Sequence, residues 1–344
     1  MPEIRTLYQR LRDRGFDRRF LQGAVVPDWW EDSLAENPAN LAIAEIVIAR
    51  HLGFTIADLR NSERKLPGPP ISDYRFRRMK KTRPSEILPA LVVAQRAARL
   101  VVTHCPALPG FTGQRAAQEI RALLLEECST VNLETLARFC WANGIVVLHI
   151  EPRRFPQSSK RFQGLSLFRD KTPAIVLASG RDGPPWLAFH LAHELGHIML
   201  GHVAPDKPPI VDSELDARVN DAEEKTTDEF ATEVLTGVHH LSIEREYGLT
   251  APKLAAASRA FGRDNAIDPG SVSLIYGRSA ERWPVAQRAL QLLEQDQGAH
   301  EMIARELLRH LATENMSDSA AQFLEFLSVS RMNPDEQPVA LDRH

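Results

Sequence analysis

Residues 186–202 read WLAFHLAHELGHIMLGH. Leu187, Leu191, Leu195 and Ile198 recur at helical spacing, and Gly183, Pro184 and Pro185 ahead of them form a turn and a start signal. On such a helix His193 and His197 stand on one face, one turn apart, so two imidazoles can reach one metal ion. Glu194 follows the first histidine and lies at the edge of that face, where it can take a proton from water held at the metal. This is the HExxH arrangement of zinc peptidases. The competing reading is a buried helix whose histidines bond to backbone or to an acid. A third ligand would decide between them, because a catalytic zinc takes three protein ligands and leaves one position for water.

His202 lies five residues beyond His197 and reads as a helix-end residue, since the spacing that serves as a third ligand after HExxH falls on Val203. His190 reads as part of the cleft wall. Downstream, a helical pattern resumes near Asp221 and runs to a stop at Gly237. It carries Glu224 and Asp228 four apart on one face. Glu224 can complete the metal shell, and Asp228 can accept the free ring N–H of a ligand histidine and fix its tautomer. The alternative is a solvated acidic face, because Asp221, Glu223 and Glu229 are close by.

Upstream of the HExxH helix, Asn132 can cap a helix that ends at Asn143–Gly144. Three short apolar runs, 145–150, 162–168 and 173–177, read as strands. Helix, small sheet and active helix in that order predict an α+β domain with the sheet packed on the HExxH helix. Residues 203–220 are polar and contain Pro205, Pro208 and Pro209, which predicts a loop.

The first 130 residues read as helical. A strong amphipathic helix over 40–52 is stopped by Gly53, and Thr55 can cap a second helix over 56–60. The pair is similar to the first half of a helix-turn-helix, and a plain helical hairpin fits the same pattern. Few polar side chains on 56–58 count against sequence-specific DNA reading. Trp29–Trp30 reads as a hydrophobic anchor. Residues 65–74 form a proline-rich loop, followed by the basic run Arg75, Arg77, Arg78, Lys80, Lys81 and Arg83, open to phosphate contact or to plain solvation. Beyond 250 the pattern is helical again, over 254–261, 269–276, 285–293 and 302–311, with a polar tail. The expected division is therefore 1–130 helical, 131–250 metallopeptidase-like, and 251–344 helical with a loose tail.

Composition agrees with an ordinary globular protein, with 43% hydrophobic and 25% charged residues. A net charge of −3 over 344 residues argues against a chain that is basic throughout. No apolar run reaches the ~18 residues a membrane helix needs. The arginine-rich start has no apolar core of a signal peptide. Three cysteines, Cys105, Cys128 and Cys140, lack metal-type spacing and read as reduced thiols of a cytoplasmic protein.

The HExxH stretch followed by EEKTTDEFATEVLTG at 223–237 resembles the ImmA/IrrE family of metallopeptidases over roughly 131–250. The resemblance implies a zincin-like domain with metal ligands His193, His197 and Glu224 and with Glu194 as general base. Asp228, Phe230, Ala231 and Leu235 match the rest of the second motif. Thr226, Thr227 and Thr236–Gly237 depart from it and leave Glu223 as a lesser alternative ligand. The implied cofactor is Zn2+, with Mn2+ as another candidate. The implied activity is hydrolysis of a peptide bond in a specific partner, a repressor or antitoxin protein. DNA contact through the N-terminal region and no membrane association are also expected. His190, His202 and Tyr276 are candidates to stabilise the oxyanion. The competing function is a DNA-binding regulator whose metal site is structural or sensory.

Overall fold

A computed structural model describes residues 2–68, 74–77, 83–212 and 222–328. The chain is α+β and rich in helix. It opens with α1 (Pro2–Arg12), the short α2 (Arg18–Phe20) running into a π-turn, α3 (Pro38–Leu52) and α4 (Ile56–Arg60). Strand β1 (Arg75–Arg77) comes next, then α5 (Pro84–Thr103), α6 (Ala117–Glu127) and α7 (Leu133–Ala142). The central part is β2 (Val146–His149), β3 (Gly164–Arg169), β4 (Thr172–Leu177), α8 (Pro184–Met199), β5 (Ile210–Asp212) and α9 (Ala222–Thr236). Helices α10 (Ala251–Asn265), α11 (Pro269–Ser279), α12 (Trp283–Leu292), α13 (Ala299–His310) and α14 (Asp318–Leu327) follow.

Local chemistry accounts for the helix boundaries. Asn132 caps α7 by accepting from the Thr135 N–H at 3.1 Å. Gly53 ends α3 in the left-handed conformation at φ +76°, and Thr55 and Asp58 form a reciprocal capping box at the start of α4. Helix α4 is only five residues long, and the Arg10 guanidinium donates to its Asp58 and Leu59 carbonyls at 2.7 Å. Of the tryptophan pair, Trp30 is buried with its ring N–H donating to Tyr8 Oη at 3.0 Å, while Trp29 is exposed.

The five strands form one mixed sheet in the order β1-β5-β3-β4-β2. Strands β2 and β4 are parallel, β3 is antiparallel to both β4 and β5, and β1 is parallel to β5. A two-residue turn joins β3 to β4, with Asp170 at φ +55°, a conformation that Asp tolerates better than most residues. Strand alternation divides the sheet's side chains between two cores. Val146, Leu148, Leu165 and Val176 pack with Ile87 and Leu91 of α5, and that core continues into Leu7, Phe20 and Ile48 and into Phe323 of α14. Val147, Ile175 and Leu177 face the other way, onto Leu136 of α7 and Leu187, Leu191 and Leu195 of α8. The first core thus runs across the boundary expected near residue 130. A third, smaller core holds Leu254, Tyr276, Ala286 and Ala289 of α10–α12.

Two elements correct the sequence reading. Residues 203–220 were expected to be loop throughout, yet Ile210–Asp212 form β5. Residues 75–77, the start of the basic run and not marked as a strand, form β1 beside it. Each strand is three residues long, too short for its periodicity to show. Helix α14 lies within the C-terminal region read as helical, in a stretch where no individual helix was marked out. Arg78, Lys80, Lys81, Asp221 and the polar tail lie outside the described residues. Among the described residues no helix is long and apolar enough to cross a membrane.

Candidate metal centre

Helix α8 starts at Gly183 with Pro184 and Pro185 in its first turn, and residues 190–199 along it are all buried. It packs tightly against α9 at Gly196. A Cβ there would meet Thr227 Cγ2 at 2.9 Å and Phe230 Cδ1 at 3.1 Å, so the absence of a side chain sets how near α9 can lie. That approach carries Glu224, in the first turn of α9, to the two histidines. Glu224 Oε2 is 3.6 Å from His193 Nε2, and its Oε1 is 3.6 Å from His197 Nε2.

A fourth side chain joins them, and sequence reasoning missed it. Asp212 Oδ2 lies 2.8 Å from His193 Nε2 and 3.5 Å from His197 Nε2. The strand register puts it there. On β3, Gly164 and Ser166 face α8, and their partners on β5 are Asp212 and Ile210, which therefore face the same way. Val211, opposite Leu165, turns to the first core. The available signal was the run Ile210–Val211–Asp212, two β-branched residues ending in an acid inside a proline-rich stretch.

One donor atom from each of His193, His197, Asp212 and Glu224 lies within 4.8 Å of the others, so the group could hold a metal ion. The residues' own hydrogen bonding fits this. His193 Nε2, His197 Nε2 and both Asp212 carboxylate oxygens are buried without a partner of hydrogen-bond geometry, despite their short separations. Buried donor atoms from four side chains crowded about a common point are arranged as ligands are. Both histidines use their other nitrogen elsewhere. His193 Nδ1 lies 2.9 Å from Asp228 Oδ1, the acceptor role expected from the helix spacing. His197 Nδ1 lies 3.1 Å from His202 Nδ1, with Thr227 Oγ1 at 3.5 Å. A proton held on Nδ1 leaves the Nε2 lone pair free for a metal.

Glu194 is beside this group and outside it. Its Oε2 accepts from Ser166 Oγ at 2.6 Å. Its Oε1 sits against Gly164, where any Cβ would overlap it. Burial raises the Glu194 carboxyl well above its ordinary range, the Asp212 charge adds to this, and His193 and Ser166 oppose it. Burial also pushes Asp212 up, but the two histidines pull it further down, so it stays well below the carboxylate range. For His193 burial lowers the pKa, and the Asp212, Asp228 and Glu224 carboxylates outweigh it and raise it. A dication among these groups would favour carboxylate and neutral imidazole throughout.

The remaining candidates fall as follows. Glu223, the alternative ligand, pairs with Arg75 of β1 at 2.6 Å and is not part of the group that could hold an ion. Arg75 also donates to the His202 carbonyl at 2.9 Å, so the first cation of the basic run ties β1 to the ends of α8 and α9. His190 is buried with its pKa pushed down to about 4, chiefly by burial and then by His193 and Arg181. Tyr276 is buried in the third core. Asp228 also has Arg278 of α11 at 3.9 Å. Compared with protein-family models, with curated proteins and with solved structures, the chain matches none.

Proposed function

We propose that this chain is a metal-dependent endopeptidase of the ImmA/IrrE type that cuts one specific partner, a repressor or antitoxin protein. The observation that carries this reading is the convergence of Glu224 from α9 on the two histidines of α8, with Glu194 next to the first of them. Two imidazoles with carboxylates suit Zn2+ first and Mn2+ next. The bound ion would supply Lewis-acid polarisation of the scissile carbonyl and of a water molecule. Glu194 takes the water's proton and passes it to the leaving amine. Ser166 aims that carboxylate by donating to Oε2, and Gly164 leaves the room it needs. Asp228 fixes the His193 ring by accepting from Nδ1. Specificity for one partner comes to this reading from the resemblance.

The test is to load the protein with Zn2+ and incubate it with the repressor-like or antitoxin-like product of a neighbouring gene. One ion per chain and cleavage by the wild type are expected. Glu194→Gln should keep the ion and lose cleavage, and a Glu194→Gln protein that still cuts would end the reading.

A second reading is favoured by one observation. Asp212 brings the protein donors to four, the number that closes a structural metal site. In that case the chain is a regulator whose metal holds β5 against the helices, with DNA as its partner. It predicts salt-dependent duplex binding that is indifferent to Glu194→Gln.

A further inference from the structure

We propose that β5 is a latch on the metal site, with Asp212 taking the ion's fourth corner and the strand covering the β3 edge where an extended peptide would lie. The inference rests on the peptidase reading and adds how that site is regulated.

The four donors are not held alike. His193, His197 and Glu224 come from two long helices packed face to face, with Gly196 at their contact. Asp212 comes from a strand of three residues. Three ligands thus come from the packed helix pair, and the fourth comes from a three-residue strand whose one anchor in the first core is Val211.

The position of β5 has a second consequence. An extended peptide binds a sheet by adding a strand to an edge, where backbone bonds hold it and alternate side chains are read. Beside the metal group, the edge of β3 away from β4 would be that place. β5 occupies it, antiparallel, with Asp212 opposite Gly164 and Ile210 opposite Ser166. The Gln163 N–H donates to the Asp212 carbonyl at 2.6 Å, continuing the pairing past the last rung. The chain therefore presents its own backbone where a peptide would sit, and its own carboxylate where the peptide carbonyl or water would approach the ion. The result is a sealed site, since His193, Glu194, His197, Asp212 and Glu224 are each 4% exposed or less.

The latch has a fastening at the surface. Among the described residues β1 pairs with β5 and with no other strand, so the two form one unit at the end of the sheet, resting on the first core through Tyr74, Phe76 and Val211. Arg75 of β1 fastens that unit through Glu223 and the His202 carbonyl. The Arg75 and Glu223 side chains are 31% and 40% exposed, within reach of a partner that competes for either charge.

The test uses the full chain loaded with Co2+, whose visible absorption reports its ligands, titrated with acetohydroxamate, a chelator that needs an open corner. The wild type should bind it weakly. Asp212→Ala and the isosteric Asp212→Asn should bind it more tightly, by ~100-fold if the latch stands open about 1% of the time. Both variants should still hold Co2+, with an absorption spectrum shifted from that of the wild type. Equal acetohydroxamate affinity in all three proteins would overturn the latch and leave the peptidase reading standing. Loss of Co2+ from both variants would also overturn it, because Asp212 would then be a required ligand. A wild-type chain that takes up no Co2+ would bring down both proposals.

Discussion

Asp228 Oδ1 lies 2.9 Å from His193 Nδ1, while on the far side of the same ring Nε2 faces the Asp212 and Glu224 carboxylates. One imidazole is thus gripped at both nitrogens by acids from two elements, α9 and β5. An acceptor at Nδ1 favours the tautomer with its proton there, which leaves Nε2 free to ligate an ion.

Asp228→Asn should therefore weaken metal binding without unfolding the protein. Losing an acid that orients a ligand histidine costs roughly 10- to 100-fold in affinity. Competition for Zn2+ against a chromophoric chelator measures this directly. An unchanged affinity would mean that the ring is fixed by packing alone.

Gly196→Ala should push α9 away from α8, since the added methyl meets Thr227 and Phe230. Forcing a methyl into a packed contact costs about 1–3 kcal/mol. Urea unfolding of the metal-free protein should show that loss. Metal affinity should fall as well, because the same contact positions Glu224.

Removing the metal should lower the melting temperature. A ligand that binds only the folded state adds about 4 kcal/mol at a thousand times its Kd. Dialysis against a chelator, then return of Zn2+, should lower and restore the midpoint in scanning calorimetry. A midpoint that ignores both steps would show that no ion is coupled to folding.

Acid should destabilise the fold through two histidines outside the site. Burial pushes His51 down to about 3, helped by Arg96 and Arg50, and its ring stacks on Phe323. Burial also pushes His149 down to about 3, helped by His300, whose ring stacks on it at 3.8 Å. Both pKa values are lower folded than unfolded, so the unfolded chain binds more protons between pH ~6.5 and ~3. The stability is fully present above pH ~6.5 and falls as pH drops through that window, by up to about 1.4 kcal/mol per unit for each group. Urea unfolding at pH 7, 6 and 5 should show a shallower decline for His51→Gln and for His149→Gln than for the wild type.

Much of this was readable along the chain wherever one element carried its own signal. Asn132, Gly53 and Thr55 marked helix ends because capping is local chemistry, and α7, β2 and β4 lie where the patterns placed them. His193 with His197, and Glu224 with Asp228, could be paired in advance because a helix repeats every 3.6 residues and each pair shares a face. Strands β1 and β5 carry no such signal. Three residues are too few for alternation, and their stability comes from pairing with each other and with β3.

The amino-acid order by itself determined which side chains α8 and α9 would present, since i and i+4 neighbours are set by helix geometry alone. Only the tertiary structure decided how near those helices lie, through a missing side chain at Gly196. It alone decided that Asp212, and not Val211, faces the histidines. The physical reason is register: a strand shifted by one residue turns each side chain to the other face, and register is fixed by the partner strand rather than by the strand's own sequence.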